Sequence, residues 1–336
     1  MVPRRLRWLR HQLARQRKAL AEAKKRRDKR RSPVGKAPRK KQTKYQQLVI
    51  ECPAVLDFDD EPEMTAAFFS RLDAVLSGVA MSVLVDHRPL GKLSPGAALV
   101  LIAHLYRASR VKRGIRLQAH LPLATAPRDM LGEIGYYKYY RAHIWKRPAP
   151  SQRFFLEHKK AEMVDTEFAE KLCEHWLAAQ DARSTQRLYA AIVEGMANAT
   201  EWAYAECADG YRSWWMLGYR DTQTGEIAYS LYDQGLGITG TIRRKNSFLE
   251  ILPGLRPTDP ELIQQAVVDG RYSRTRQKGR GTGLPTLLEF VREGTDGELL
   301  IFSKNCRCVF RHAQGNLLNE YTIALRGTLI SWSFRP

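Results

Sequence analysis

The sequence predicts an α+β protein, with two folded units behind a basic, helical N-terminal tail. Three observations lead there. Strand and helix patterns alternate over residues 46–145. From about residue 150 the pattern changes to helix, hairpin, Gly-rich turns, helix and a terminal run of strands. And almost all the net charge lies before residue 45. The 336 residues, 44% of them hydrophobic, are enough for a core in each unit.

The formal charge is +20, but residues 1–44 carry 19 Lys and Arg against Glu22 and Asp28. The rest of the chain is close to neutral, so what basicity implies about nucleic acid or an acidic protein surface applies to residues 1–45 alone. Within that segment residues 4–31 predict a helix with a thin apolar stripe (Leu6, Leu9, Leu13, Leu20), and residues 32–44 a linker. A solubilising arm is the other reading of the tail.

Five scattered cysteines argue for a reducing compartment and against a disulfide framework. Cys306 and Cys308 read as alternation along a strand, because no second Cys or His pair stands at zinc-site spacing. No apolar run nears the roughly 20 residues of a membrane span, and the basic start lacks a signal peptide's apolar stretch. The expectation is a cytoplasmic protein without a transmembrane segment.

In the first unit, strands are expected over 48–58, 80–87 and 115–122, and helices over 61–78, 94–114 and 127–140. The strand ending at Asp86, the loop, and the helix opening at Ser94-Pro95-Gly96 resemble, over 46–145, the STAS domain of anti-sigma-factor antagonists. That resemblance implies a phosphoacceptor role for Ser94. The residue also reads simply as an N-cap ahead of Pro95.

Residues 154–180 read as a helical stretch that carries His158 and His175, both read as surface histidines. On the helix from Ser184, Glu194 and Asn198 share one face, while Leu188, Ile192, Met196, Ala199 and Ala203 line the opposite one. A carboxamide oxygen suits Mg²⁺, and a neighbouring carboxylate can orient or deprotonate a water or hydroxyl near a γ-phosphate. The hairpin over 213–232 leads into Asp233-Gln234-Gly235-Leu236-Gly237-Ile238, where a strand-end carboxylate can accept from an exocyclic amine such as adenine N6. A Gly-rich turn with an Asx cap is the alternative. Lys278-Gly279-Arg280-Gly281-Thr282-Gly283-Leu284 then opens a helix, exposing backbone N–H groups to phosphate. A Rossmann reading fails because a long polar loop, not a strand, precedes this turn. Finally Gly327-Thr328 lies in an alternating strand near the end, its hydroxyl placed to support the Asp233 network.

In this order the four motifs resemble the N, G1, G2 and GT boxes of the GHKL (histidine kinase-like) family. The resemblance covers about residues 185–334, within a domain at 150–336, and is nearest to the anti-sigma-factor-type serine kinases. It implies a Bergerat-type α/β sandwich, helices on a mixed sheet, that binds ATP with Mg²⁺. Asn198 would hold the metal, Glu194 would be the catalytic base, and Asp233 and Thr328 would form the adenine site. Gly235, Gly237, Ile238 and the segment from Lys278 to Leu284 would line the nucleotide, and residues 239–278 would form a mobile lid. The function implied is a regulator that hydrolyses ATP slowly or phosphorylates a serine, with a regulatory protein partner. A homodimer fits the same resemblance. The alternative is a non-catalytic module, gated by ATP, whose basic tail grips nucleic acid or an acidic partner.

Overall fold

The stretch Trp214–Asp221 is apolar at nearly every position, as a strand must be when both its faces are covered. In the computed structural model it lies inside a seven-stranded sheet with that double cover. The structure describes residues 47–140, 154–177, 182–204, 211–222, 224–245, 257–270, 283–293, 295–311 and 315–335. The tail and linker expected over 1–45 lie outside these residues, and from Tyr45 onward the chain forms one compact unit.

The N-terminal part contains β1 (Leu48–Glu51), β2 (Val55–Leu56), α1 (Pro62–Ser77), β3 (Ser82–Asp86), β4 (Lys92–Leu93), α2 (Pro95–Val111), β5 (Arg116–His120) and α3 (Thr125–Glu133). Strands β1, β3 and β5 pair in parallel in that order, with α1 and α2 as the crossovers. One face of this sheet carries Ile50, Val83, Val85 and Leu117, all at most 3% exposed, and the helices cover it. The helix expected over 127–140 breaks at Gly135, whose φ of +67° suits glycine, and a short 3₁₀ turn follows at Tyr136–Tyr139.

The larger sheet contains β6 (Phe154–Ala161), β7 (Trp214–Asp221), β8 (Ile227–Asp233), β9 (Thr295–Ser303), β10 (Cys306–Arg311), β11 (Asn316–Glu320) and β12 (Thr328–Arg335), in the order β11-β10-β9-β12-β8-β7-β6. Two expectations are corrected. Residues 154–161 form an edge strand on β7, not the start of a helix; the helix begins only at Thr166. The sheet is also antiparallel at every pairing, not mixed. The crossover from β8 to β9 leaves these two strands parallel but not adjacent, and β12 fills the gap antiparallel to both.

The front of this sheet is covered by α4 (Thr166–Leu177), α5 (Ala182–Glu201), α7 (Asp259–Val268) and α8 (Gly283–Glu293), around Trp214, Met216, Tyr229, Ile301 and Trp332. Helix α6 (Ile238–Lys245) packs beside α7. The back is covered by the N-terminal part, around Trp215, Leu217, Tyr232, Phe302 and Leu329. Helix α2 lies between, buried at ten consecutive positions from Gly96 to Leu105, as a helix with core on both sides must be. Each fully buried Leu there contributes about 2 kcal/mol. The lid expected over 239–278 is corrected in part: Leu262, Ile263 and Val267 of α7 are fully buried, and a capping box at Thr258 fixes the start of this helix. Residues 246–256 and 271–282 lie outside the described set. Among the described residues no helix is long and apolar enough to cross a membrane.

Candidate functional site

Helix α5 buries Leu188, Ile192, Met196 and Ala199 against the sheet, which turns Glu194 and Asn198, both half-buried, toward the first turn of α8. The approach is close: a Cβ added to Gly283 would stand 2.7 Å from Asn198 Nδ2 and 3.2 Å from Glu194 Oε2. Burial, helped by the charge of Glu201, raises the Glu194 carboxyl above the usual carboxylate range.

A second group forms where three strands end together. Asp233 of β8 stands opposite Thr328 of β12, which stands opposite Ser303 of β9. Ser303 Oγ lies 3.1 Å from Thr328 Oγ1 and accepts from Ile238 N at 2.8 Å. The Asp233 carboxyl accepts one hydrogen bond among the described residues, from Gly235 N at 2.8 Å. Burial pushes its pKa up to about 7, and the single N–H only partly opposes this. Gly327, at φ +82°, sits so close that a Cβ there would stand 2.0 Å from Asp233 O.

The two groups are tied together by the loop after β8. Leu236 N donates to Ala203 O at 2.8 Å and Gln234 N donates to Tyr204 OH at 2.8 Å, both just past the end of α5. Gly235 lies against Ala203 O. Ile238 and Leu284 pack on the same small cluster of Ile242, Leu262 and Ala266. The described members of the four motifs, Glu194, Asn198, Asp233, Gly235, Gly237, Ile238, Gly283, Leu284 and Thr328, therefore form one connected region. Lys278, Gly279, Arg280, Gly281 and Thr282 lie outside the described residues.

Ser94 is not brought to this region. It caps α2, accepting from Ala97 N at 3.4 Å, and lines a cavity of about 450 Å³ on the back of the sheet with Lys92, Ser230 and Ser331. The sheet stands between it and the Glu194–Asn198 pair.

Some site residues escape a reading of the sequence. Ser303 acts through strand register, and its only sequence signal is a polar residue ending the apolar run before Lys304. Thr239 is fully buried, and its Oγ1 has no partner among the described residues. Lys304, at φ +54°, lays its side chain over Gly237 and Gly240. Cys306 and Cys308 are buried in the strand core and their thiols are raised by burial, Cys308 to about 12. Among the described residues no group of three or more His, Cys, Asp or Glu clusters as a metal site.

No model of a known protein family matches the sequence, and no curated protein matches it.

Proposed function

We propose that the chain is an ATP-binding regulator of the GHKL type, preceded by a STAS-like unit. The observation that carries this reading is the convergence of four distant motifs, with a buried, once-bonded carboxylate at one end of the region and an amide–carboxylate pair at the other. The donor set suits the nucleotide. Asp233 has accepting capacity left for an adenine amine, with Thr328 and Ser303 beside it. Gly235 lets the loop after β8 press onto Ala203, and Gly283 lets the opening turn of α8 press onto Asn198 and Glu194, which draws the motifs together. The opening turn of α8, with Lys278, Gly279, Arg280, Gly281 and Thr282 before it, would hold phosphates by backbone N–H and positive charge. Bound ATP with Mg²⁺ supplies the transferable phosphoryl group, and Asn198 offers the metal one hard oxygen. Glu194, with its raised affinity for protons, orients or deprotonates the attacking water or hydroxyl.

Ser94 lies across the sheet from the Glu194–Asn198 pair, which favours water or a serine of another molecule as the acceptor. Incubation of the full chain with γ-labelled ATP and Mg²⁺ tests the reading. Label released as phosphate or fixed on a protein supports it, and Glu194→Ala should stop both while leaving ATP bound. Binding without any transfer would identify a non-catalytic, ATP-gated module; absence of binding would refute the proposal.

A further inference from the structure

The segments that lead into the two adenine-end positions are held by the N-terminal part. Tyr232 precedes Asp233, and Arg326 precedes Gly327-Thr328. Arg326 Nε donates to Asp73 Oδ2 of α1 at 2.9 Å, and Arg107 of α2 stands 3.7 Å from the other carboxylate oxygen. Tyr232, fully buried, donates its OH to Arg326 O at 2.7 Å and lies 3.1 Å from His104 Nε2 of α2. The other ring nitrogen of His104 faces Asp73 Oδ1 at 3.6 Å. The contacts close a ring, Asp73–Arg326–Tyr232–His104–Asp73, with one side on α1 and α2 and the other on the site strands. Burial works against the Asp73 charge, but His104 and Arg326 outweigh it and hold the carboxyl well below its usual range. A small cleft lined by Ser70, Asp73, Gly235, Lys304, Arg326 and Gly327 opens where α1 meets both site segments.

We infer that Asp73 and His104 are positioning residues for the Asp233–Thr328 pair: through Arg326 and Tyr232 the N-terminal part sets the spacing of the two strand ends, and with it the affinity for the adenine nucleotide. The inference rests on the proposed function. A displacement of β12 against β8 would move Thr328 relative to Asp233, because Gly327 is pressed onto the Asp233 carbonyl and leaves no slack.

The test is Mg-ATP binding to the full chain, wild type against Asp73→Asn and Tyr232→Phe, with Asp59→Asn as control. Asp59 also bridges the N-terminal part to the sheet, through Arg307 of β10, but β9 separates that strand from β12. Asp73→Asn and Tyr232→Phe are each expected to weaken binding about 10-fold, and Asp59→Asn less than about 2-fold, at comparable losses of thermal stability. Tyr232→Phe deletes one hydroxyl and keeps the ring, so it reports even where Asp73→Asn does not fold. Unchanged affinity in Tyr232→Phe, or equal weakening in Asp59→Asn, would overturn the inference alone. A wild type that binds no Mg-ATP would overturn the proposed function as well.

Discussion

Asp233 is the residue at which chemistry and stability pull against each other. Its pKa of about 7 when folded lies above the ordinary value near 4, so between these the native state holds a proton that the unfolded chain has released. This contribution to stability is complete below pH 4 and is lost as pH rises through 7. Asp233→Asn should therefore unfold less readily than the wild type at pH 8, by about 4 kcal/mol, and about equally readily at pH 4. Denaturant midpoints at the two pH values check this, and a variant less stable at pH 8 would contradict it. If the ionised carboxylate is the form that accepts from adenine, wild-type affinity should also rise from pH 6 to pH 8 more than that of the variant. Gly283 makes a sterically sharper case. Gly283→Ala drives a methyl into Asn198 and Glu194, and is expected to lower ATP affinity at least about 10-fold while costing only about 1 kcal/mol of stability. Wild-type affinity in Gly283→Ala would show that the pair has room to move. Glu194, Asn198, Asp233 and Thr328 were legible in the sequence because each stands in a short motif whose residue types serve one kind of chemistry. Ser303, Thr239 and Tyr204 were not, because their place comes from strand register and from the turn that ends α5.

At the scale of elements, local pattern fixed type better than edges. The strands β7, β8 and β12 and the helices α2 and α5 lie where apolar periodicity puts them. Residues 154–161 went the other way: Glu157, His158, Lys159 and Lys160 resemble a solvated helix face, and only pairing with β7 makes the segment a strand. Such charge is common on an edge strand, which it protects from further pairing. The antiparallel order was also illegible, since β12 reaches its place between β8 and β9 from the far end of the chain. That late arrival makes Ser303 a hinge between strands: it is fully buried and bonds both Thr328 and the first residue of α6. Ser303→Ala should cost about 1–3 kcal/mol in denaturant unfolding, the price of leaving buried partners unpaired. A loss below about 0.5 kcal/mol would mean that water replaces both bonds.

Over the whole molecule, the two parts distinguished in the sequence share one core. Trp215, Leu217, Tyr219, Tyr232 and Phe302 of the large sheet pack in the same cluster as Leu72, Leu99 and Leu105 of the N-terminal part. Composition and element order mark a change near residue 150 but cannot show that the second sheet needs the first part as its back cover. Residues 150–336 expressed alone should thus expose that apolar face and aggregate, whereas residues 45–336 should melt as cooperatively as the full chain. A soluble, cooperatively folding 150–336 fragment would refute the shared core. The central claim is that the four motifs build one nucleotide site, and equilibrium binding of Mg-ATP to residues 45–336 tests it most directly. Saturable binding that Asn198→Ala and Asp233→Asn each weaken at least about 10-fold is the result expected; no binding, or binding indifferent to both substitutions, would contradict it.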